Sequence, residues 1–276
     1  MSKISAADVK KLRDLTGAGM MDCKKALAEA NGDIEKAIEE LRKKGQKLSA
    51  KRADRDANEG VVIAITNDEK TFGVVVRLSC ETDFVAKNDD FINLGKTFAN
   101  IALENKPADL AALLALPFEN ITVGEKVIEQ VGVIGEKVEI SAYNLVEAAM
   151  VTPYIHAGYK AGVVVGFNKA SEGFVAAGKD VAMQVAAMAP IAVNEEGVDS
   201  SVIEKEIEIG KEQARAEGKP EAMLERIAEG KLKKFFKERT LLNQIFVKDS
   251  KQTIATYLQS VDKELTVTDF KHVTLG

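Results

Sequence analysis

The chain has 276 residues, 46% of them apolar and 29% charged, with a formal net charge of -5. That length exceeds one ordinary core and implies two or three modules, while the negative balance excludes a protein whose main task is coating nucleic acid, which needs clustered Lys and Arg. No apolar run approaches a membrane span, tryptophan is absent and aromatics make up 5%, so stacking platforms for single strands are also scarce. The charged start MSKISAADVKKL lacks the apolar core of a signal peptide, which makes the cytoplasm the expected location. Cys23 and Cys80, far apart and each beside apolar neighbours, are expected as reduced buried thiols.

From Ser5 to about Lys44 the pattern predicts three short helices. Ser5 caps the first, with Val9, Leu12 and Leu15 inward, ending at TGAGM. The second starts near Met21, turns Cys23, Ala26, Leu27 and Ala30 inward, and stops at Asn31-Gly32. Asp33 caps the third, whose inward face is Ile34, Ala37, Ile38 and Leu41. The charged stretch GQKLSAKRADRDANE reads as a linker or exposed helix. After Gly60, VVIAIT, a turn at Asn67-Asp68 and TFGVVVRLSC predict a hairpin of two strands. ETDFVAKN follows at once, and Phe91, Leu94, Phe98, Ile101 and Ala102 then recur with helical spacing, so ETDFVAKN sits at an exposed strand-to-helix junction. A second order of strand, loop and helix, anchored by GVVV at Gly162–Val165 as the first is by Gly73–Val76, points to duplicated subdomains. Residues 198–239 carry two narrow apolar stripes, Ile203, Ile207, Gly210 and Ala214, then Leu224, Ala228, Leu232 and Phe235, which predict an antiparallel helical hairpin. LTVTDFKHVTLG alternates like a last strand. The expected fold is α+β, with a three-helix module at 1–45, a linker at 46–59, one core subdomain at 60–140, a second at 141–197 and 240–276, each with an antiparallel sheet, and the hairpin inserted at 198–239.

Catalytic signals fail on inspection. Gly95-Lys96-Thr97 would close a phosphate-binding loop, but the glycine needed five residues earlier is Asp90. GAGMMD has no preceding strand, and Asp22 stands where a dinucleotide fingerprint needs its third glycine. His156 and His272 are too distant to suggest one ligand motif, and most carboxylates lie beside lysines on helical faces as solvated pairs. Neither a metal nor a cofactor nor covalent chemistry is indicated.

Three segments carry a resemblance: LRDLTGAGMMDCKKALAEANGDIEKAIEELRKKG from Leu12 to Gly45, CETDFVAKN from Cys80 to Asn88 and EGKPEAMLERIAEGKLKKF from Glu217 to Phe235. In that order they resemble the elongation factor Ts family along nearly the whole chain. The resemblance implies a guanine nucleotide exchange factor of translation that binds elongation factor Tu, both with GDP and nucleotide-free, and disturbs its magnesium and phosphate site. It assigns that action to Thr82, Asp83, Phe84 and Val85, with Phe84 as an apolar wedge that gains free energy when a partner buries it. It also implies docking through Lys10, Arg13, Met20 and Met21, and contacts at Ile134, Gly135, Glu136 and His156; no membrane or nucleic-acid partner is expected. The tripeptide Thr-Asp-Phe recurs at Thr268–Phe270, so position rather than composition carries the assignment. Members of the family commonly continue into a C-terminal helical module, and with the last residue at Gly276 its contribution is expected to be absent or supplied otherwise.

Two rival readings stay open. The first three helices also resemble ubiquitin-associated domains, which bind proteins without changing their chemistry. KLKKFFKER, Lys231 to Arg239, sets basic residues around two phenylalanines and could serve RNA, although the helical period turns Phe235 inward.

Overall fold

The structure, a computed structural model, describes residues 4–276. It is an α+β fold with small antiparallel sheets. Helix α1 (Ala6–Thr16) opens with a capping box in which Ser5 Oγ accepts from the Asp8 amide at 3.1 Å and the Asp8 carboxylate accepts from the Ser5 amide at 3.0 Å. It ends at Gly17, whose φ of 70° is the left-handed geometry that a glycine adopts without strain. Helices α2 (Met20–Glu29) and α3 (Ile34–Arg52) complete a small core of Val9, Leu12, Cys23, Ala26, Leu27 and Ala37.

Two details differ from the sequence pattern. Leu15 is 60% exposed rather than inward. A helix turns ~100° per residue, so three-residue spacing drifts ~120° over two steps and leaves Leu15 off the face that Val9 and Leu12 share. Helix α3 continues to Arg52, well into the charged stretch, because its later turns lie along another helix: a Cβ on Gly45 would stand 3.1 Å from the Ile128 carbonyl oxygen. That helix is α7, introduced below, whose Gly132 meets the Gly45 backbone in turn, so the two helices cross with main chains in contact.

Strands β1 (Glu59–Thr66) and β2 (Phe72–Cys80) form the hairpin, its turn held by Asn67 Oδ1, which accepts from the Thr71 and Phe72 amides at 2.9 Å each. A short α4 (Asp83–Ala86), α5 (Asp89–Asn105), α6 (Leu110–Ala115), a small ribbon of β3 (Pro117–Phe118) and β4 (Ile121–Thr122), α7 (Val123–Ile134) and β5 (Val138–Glu147) follow. The sheet order is β1-β2-β5, all antiparallel. Val74, Val76 and Leu78 face the helices with Phe91 and Phe98, while Val75 points to the other side. Gly95 is buried in α5, where a Cβ would come within 3.0 Å of Val61 Cγ2. The Gly-Lys-Thr run is thus a stretch of amphipathic helix packed on a sheet.

The second half repeats this layout. Strands β6 (Met150–Ile155) and β7 (Ala161–Phe167) lead into α8 (Val175–Met188), then the hairpin of α9 (Ser200–Ala216) and α10 (Glu221–Arg239), then β8 (Ile245–Phe246), β9 (Asp249–Thr253), α11 (Ile254–Val261) and β10 (Val267–Thr274). The second sheet has the order β10-β7-β6. The two sheets lie back to back, with Val62, Val75, Val146, Val151, Val164 and Val273 between them. Gly162 and Gly73 set the spacing, since a Cβ on either would stand 2.7 Å from a valine methyl of the facing sheet. Burial on both faces explains why both GVVV runs are continuously apolar.

The hairpin helices close on Gly210, Ala214, Leu224 and Ala228. Near its base Phe235 is half-buried on the inward face, and Phe236 is buried as well, because α10 there packs on Ala192 and Val198 as well as on α9. Exit and return are stitched together: the Leu241 and Leu242 amides donate to the Ala192 and Val193 carbonyls at 2.9 Å each. No helix among the described residues is long and apolar enough to cross a membrane.

Candidate functional site

The ETDFVAKN run begins where β2 ends. Cys80 is buried; its thiol donates to the Thr82 carbonyl at 3.2 Å, and burial pushes its pKa up to about 12. Cys23 is likewise buried and free, and its thiol is raised by the same cause. Thr82 is the N-cap of α4 and accepts from the Val85 amide at 3.5 Å. Val85 and Ala86 turn toward the first core. That helical phase sends Phe84 the other way, and it is 85% exposed. Asp83 pairs with Lys87 at 2.6 Å across one turn, and that hydrogen bond and charge hold its carboxyl below the usual range. Asn88 then caps α5 through the Asp90 amide at 2.9 Å.

A large exposed ring on a four-residue helix would wander unless the turn beneath it were fixed. Two carboxylates fix it. Glu136, just past α7, accepts from the Glu81 amide at 3.2 Å and the Thr82 amide at 3.0 Å through Oε2, and from Thr82 Oγ1 at 2.7 Å through Oε1. Glu81 answers across the same gap, accepting from the Lys137 amide at 2.6 Å and from Arg52 of α3 at 2.6 Å, with Arg55 at 3.3 Å. Burial pushes the Glu81 carboxyl up, but the Lys137 amide and the two guanidiniums outweigh it and hold the group below the usual range. Lys137 Nζ donates to the Ala53 and Arg55 carbonyls at 3.0 Å each, so the end of α3 joins the same knot.

The structure therefore brings together two of the sequence-derived stretches, Thr82–Val85 and Ile134–Glu136. Ile134 ends α7, and Gly135 has a φ of 80° with open space where a side chain would sit. The role of Arg52 and Arg55 was not legible beforehand, since their partner lies 29 and 26 residues away and no local pattern marks the pairing. His156 is exposed and not part of this cluster; its Nδ1 lies 3.1 Å from the Tyr154 hydroxyl, ahead of a 3-10 turn whose Tyr159 packs on the first core. Lys10 and Arg13 are exposed on α1. Met20 and Met21 are 58% and 75% exposed at the start of α2, and Leu15, missed in the sequence, adds to the same small module's apolar surface. The second Thr-Asp-Phe lies in β10, where Phe270 packs against the second core. Among the described residues no group of three or more His, Cys, Asp or Glu could hold a metal ion.

A family model described as elongation factor TS matches residues 81–276. Elongation factor Ts of Christiangramia forsetii is 55% identical and that of Flavobacterium psychrophilum 53% identical, each aligned over 100% of both chains. Elongation factor Ts of Chlorobium phaeobacteroides is 44% identical, again over 100% of both.

Proposed function

The chain belongs to the elongation factor Ts family, a family of nucleotide exchange factors in translation elongation, and from that premise we propose that it binds elongation factor Tu carrying GDP, disturbs the magnesium and phosphate end of the nucleotide site, and so promotes GDP release in the cytoplasm. The observation that carries this reading is Phe84: an apolar ring 85% exposed on a turn whose base is tied by Glu136 and Glu81. Burying such a ring in a partner is worth ~1.5–3 kcal/mol, and that gain is available only in the complex. Magnesium tolerates little departure from octahedral geometry, so a small displacement of one ligand loosens the nucleotide. By linkage, the factor by which this chain weakens GDP is the factor by which GDP weakens this chain's hold on the partner. No bond is made or broken in the protein.

In this reading Thr82, Asp83, Phe84 and Val85 act on the magnesium site, and residues 1–45 dock through Lys10, Arg13, Met20 and Met21, whose thioethers adapt to an uneven surface. Ile134, Gly135 and His156 add contacts from the two subdomains at 60–140 and at 141–197 with 240–276. The test follows the release of fluorescent GDP from elongation factor Tu. Intact chain should accelerate it, and Phe84→Ala should lower the maximal rate; a chain that binds the partner without accelerating release would make it an adaptor instead.

A further inference from the structure

Phe84 has almost no packing of its own, so its position is inherited from the backbone at residues 81–83. A wedge on a soft base recoils when it meets a partner, and the free energy of burying it is then spent on moving the wedge. A wedge on a stiff base moves the partner. What stiffens this base comes from far along the chain. The left-handed Gly135 ends α7 and turns the next residue, half-buried Glu136, back toward β2. There its two oxygens take the amides of Glu81 and Thr82 and the Thr82 hydroxyl, while the Glu81 carboxylate takes the Lys137 amide in return. Each of the two segments thus holds the other's main chain through a carboxylate. Both oxygens of Glu136 are engaged inside the protein, which leaves it poorly placed to act as a contact residue in its own right.

We propose that Glu136 is a positioning residue for exchange: by clamping residues 81 and 82 it holds Phe84 stiffly enough to displace groups in the partner. The proposal rests on the exchange reading above. It separates rate from affinity, because a chain with a loosened turn still docks through α1, α2 and the Ile134–Gly135 corner. Removing the clamp lowers the maximal exchange rate and leaves the half-saturating concentration nearly unchanged.

The experiment measures release of fluorescent GDP from elongation factor Tu over a range of full-length factor concentrations. Glu136→Ala should reduce the maximal rate ~10-fold or more, with the half-saturating concentration within ~2-fold of wild type. Glu136→Gln should recover most of the rate, since one amide oxygen can accept both N–H groups while the Thr82 hydroxyl turns to accept from the amide NH2. Glu136→Asp, which withdraws the oxygens by one methylene, should fall between, and it carries the test if the alanine variant does not fold. Phe84→Ala combined with Glu136→Ala should fall well short of the product of the two single losses, because most of the clamp's effect passes through the ring. Faster amide hydrogen exchange at Thr82 and Val85 in Glu136→Ala should accompany the loss. Several outcomes overturn the proposal while sparing the exchange reading: an active wild type with an unchanged alanine variant, a rise in half-saturating concentration at unchanged maximal rate, or full additivity with Phe84→Ala. A wild-type chain that does not accelerate release overturns both.

Discussion

The two halves of the core contain the same short run in the same place and treat it in opposite ways. Each central strand, β2 or β7, carries GVVV and is followed by Phe-Val-Ala at the start of a helix. In the first half Phe84 points to solvent while Val85 and Ala86 turn to the core. In the second, Phe174 packs on the core and Val175 is 41% exposed. The helical phase differs by one residue. Its origin lies in the connection: the first helix starts after residues 81–82, held by Glu136 and capped by Thr82, whereas the second follows residues 168–171 and a 3-10 turn capped by Ser171. An exposed element and a core element can therefore share a local sequence, and tertiary tethers decide which one results.

That contrast is open to direct attack. The largest effect should come from Phe174→Ala, which removes a core ring and should cost about 3 kcal/mol of stability, read as a shift in the denaturant midpoint. Next, Phe84→Ala should leave the midpoint unchanged and reduce maximal exchange by up to ~100-fold, equivalent to ~2.7 kcal/mol in the barrier. If the two variants exchanged phenotypes, the assignment of wedge and core would be reversed. Gly162→Ala should cost about 2 kcal/mol, because the new methyl meets Val62 at 2.7 Å between two packed sheets; it touches both halves at once and should not distinguish them.

The smallest effect is a dependence on pH confined to the first half. The folded Glu81 carboxyl is held below its ordinary value, so its contribution is fully present above that ordinary value and is lost as pH falls through the lower folded one. The difference in melting temperature between wild type and Glu81→Gln should accordingly be constant near neutrality and shrink below about pH 4. A difference that grows on acidification would mean that Arg52, Arg55 and the Lys137 amide do not favour the charged form.

Much of the architecture was legible because it rests on local rules. Ser5 and Asp33 announce helix starts, and Asn67 announces the hairpin turn. Local rules failed where a long-range neighbour intervenes. The extension of α3 to Arg52 depends on Gly45 meeting α7, and no apolar stripe advertises it. Near the hairpin base Phe236 is buried beside the half-buried Phe235, because the 192–198 segment shares that surface. The turn at Thr82 could be placed, but its attachment to Glu136, 54 residues away, could not.

The stitched base of the α9–α10 hairpin has a consequence for how this molecule can change. Since Leu241 and Leu242 return to the carbonyls of Ala192 and Val193, the second core closes at the foot of the arm, and only the first turns of α9 and the last of α10, around Phe236, pack on that foot. Topologically the arm is a loop that happens to be helical. Beyond that foot its length is free of the fold, so the outer turns can be lengthened or trimmed in whole helical increments as a cassette, while Phe236 stays seated and the sheet beneath keeps its register.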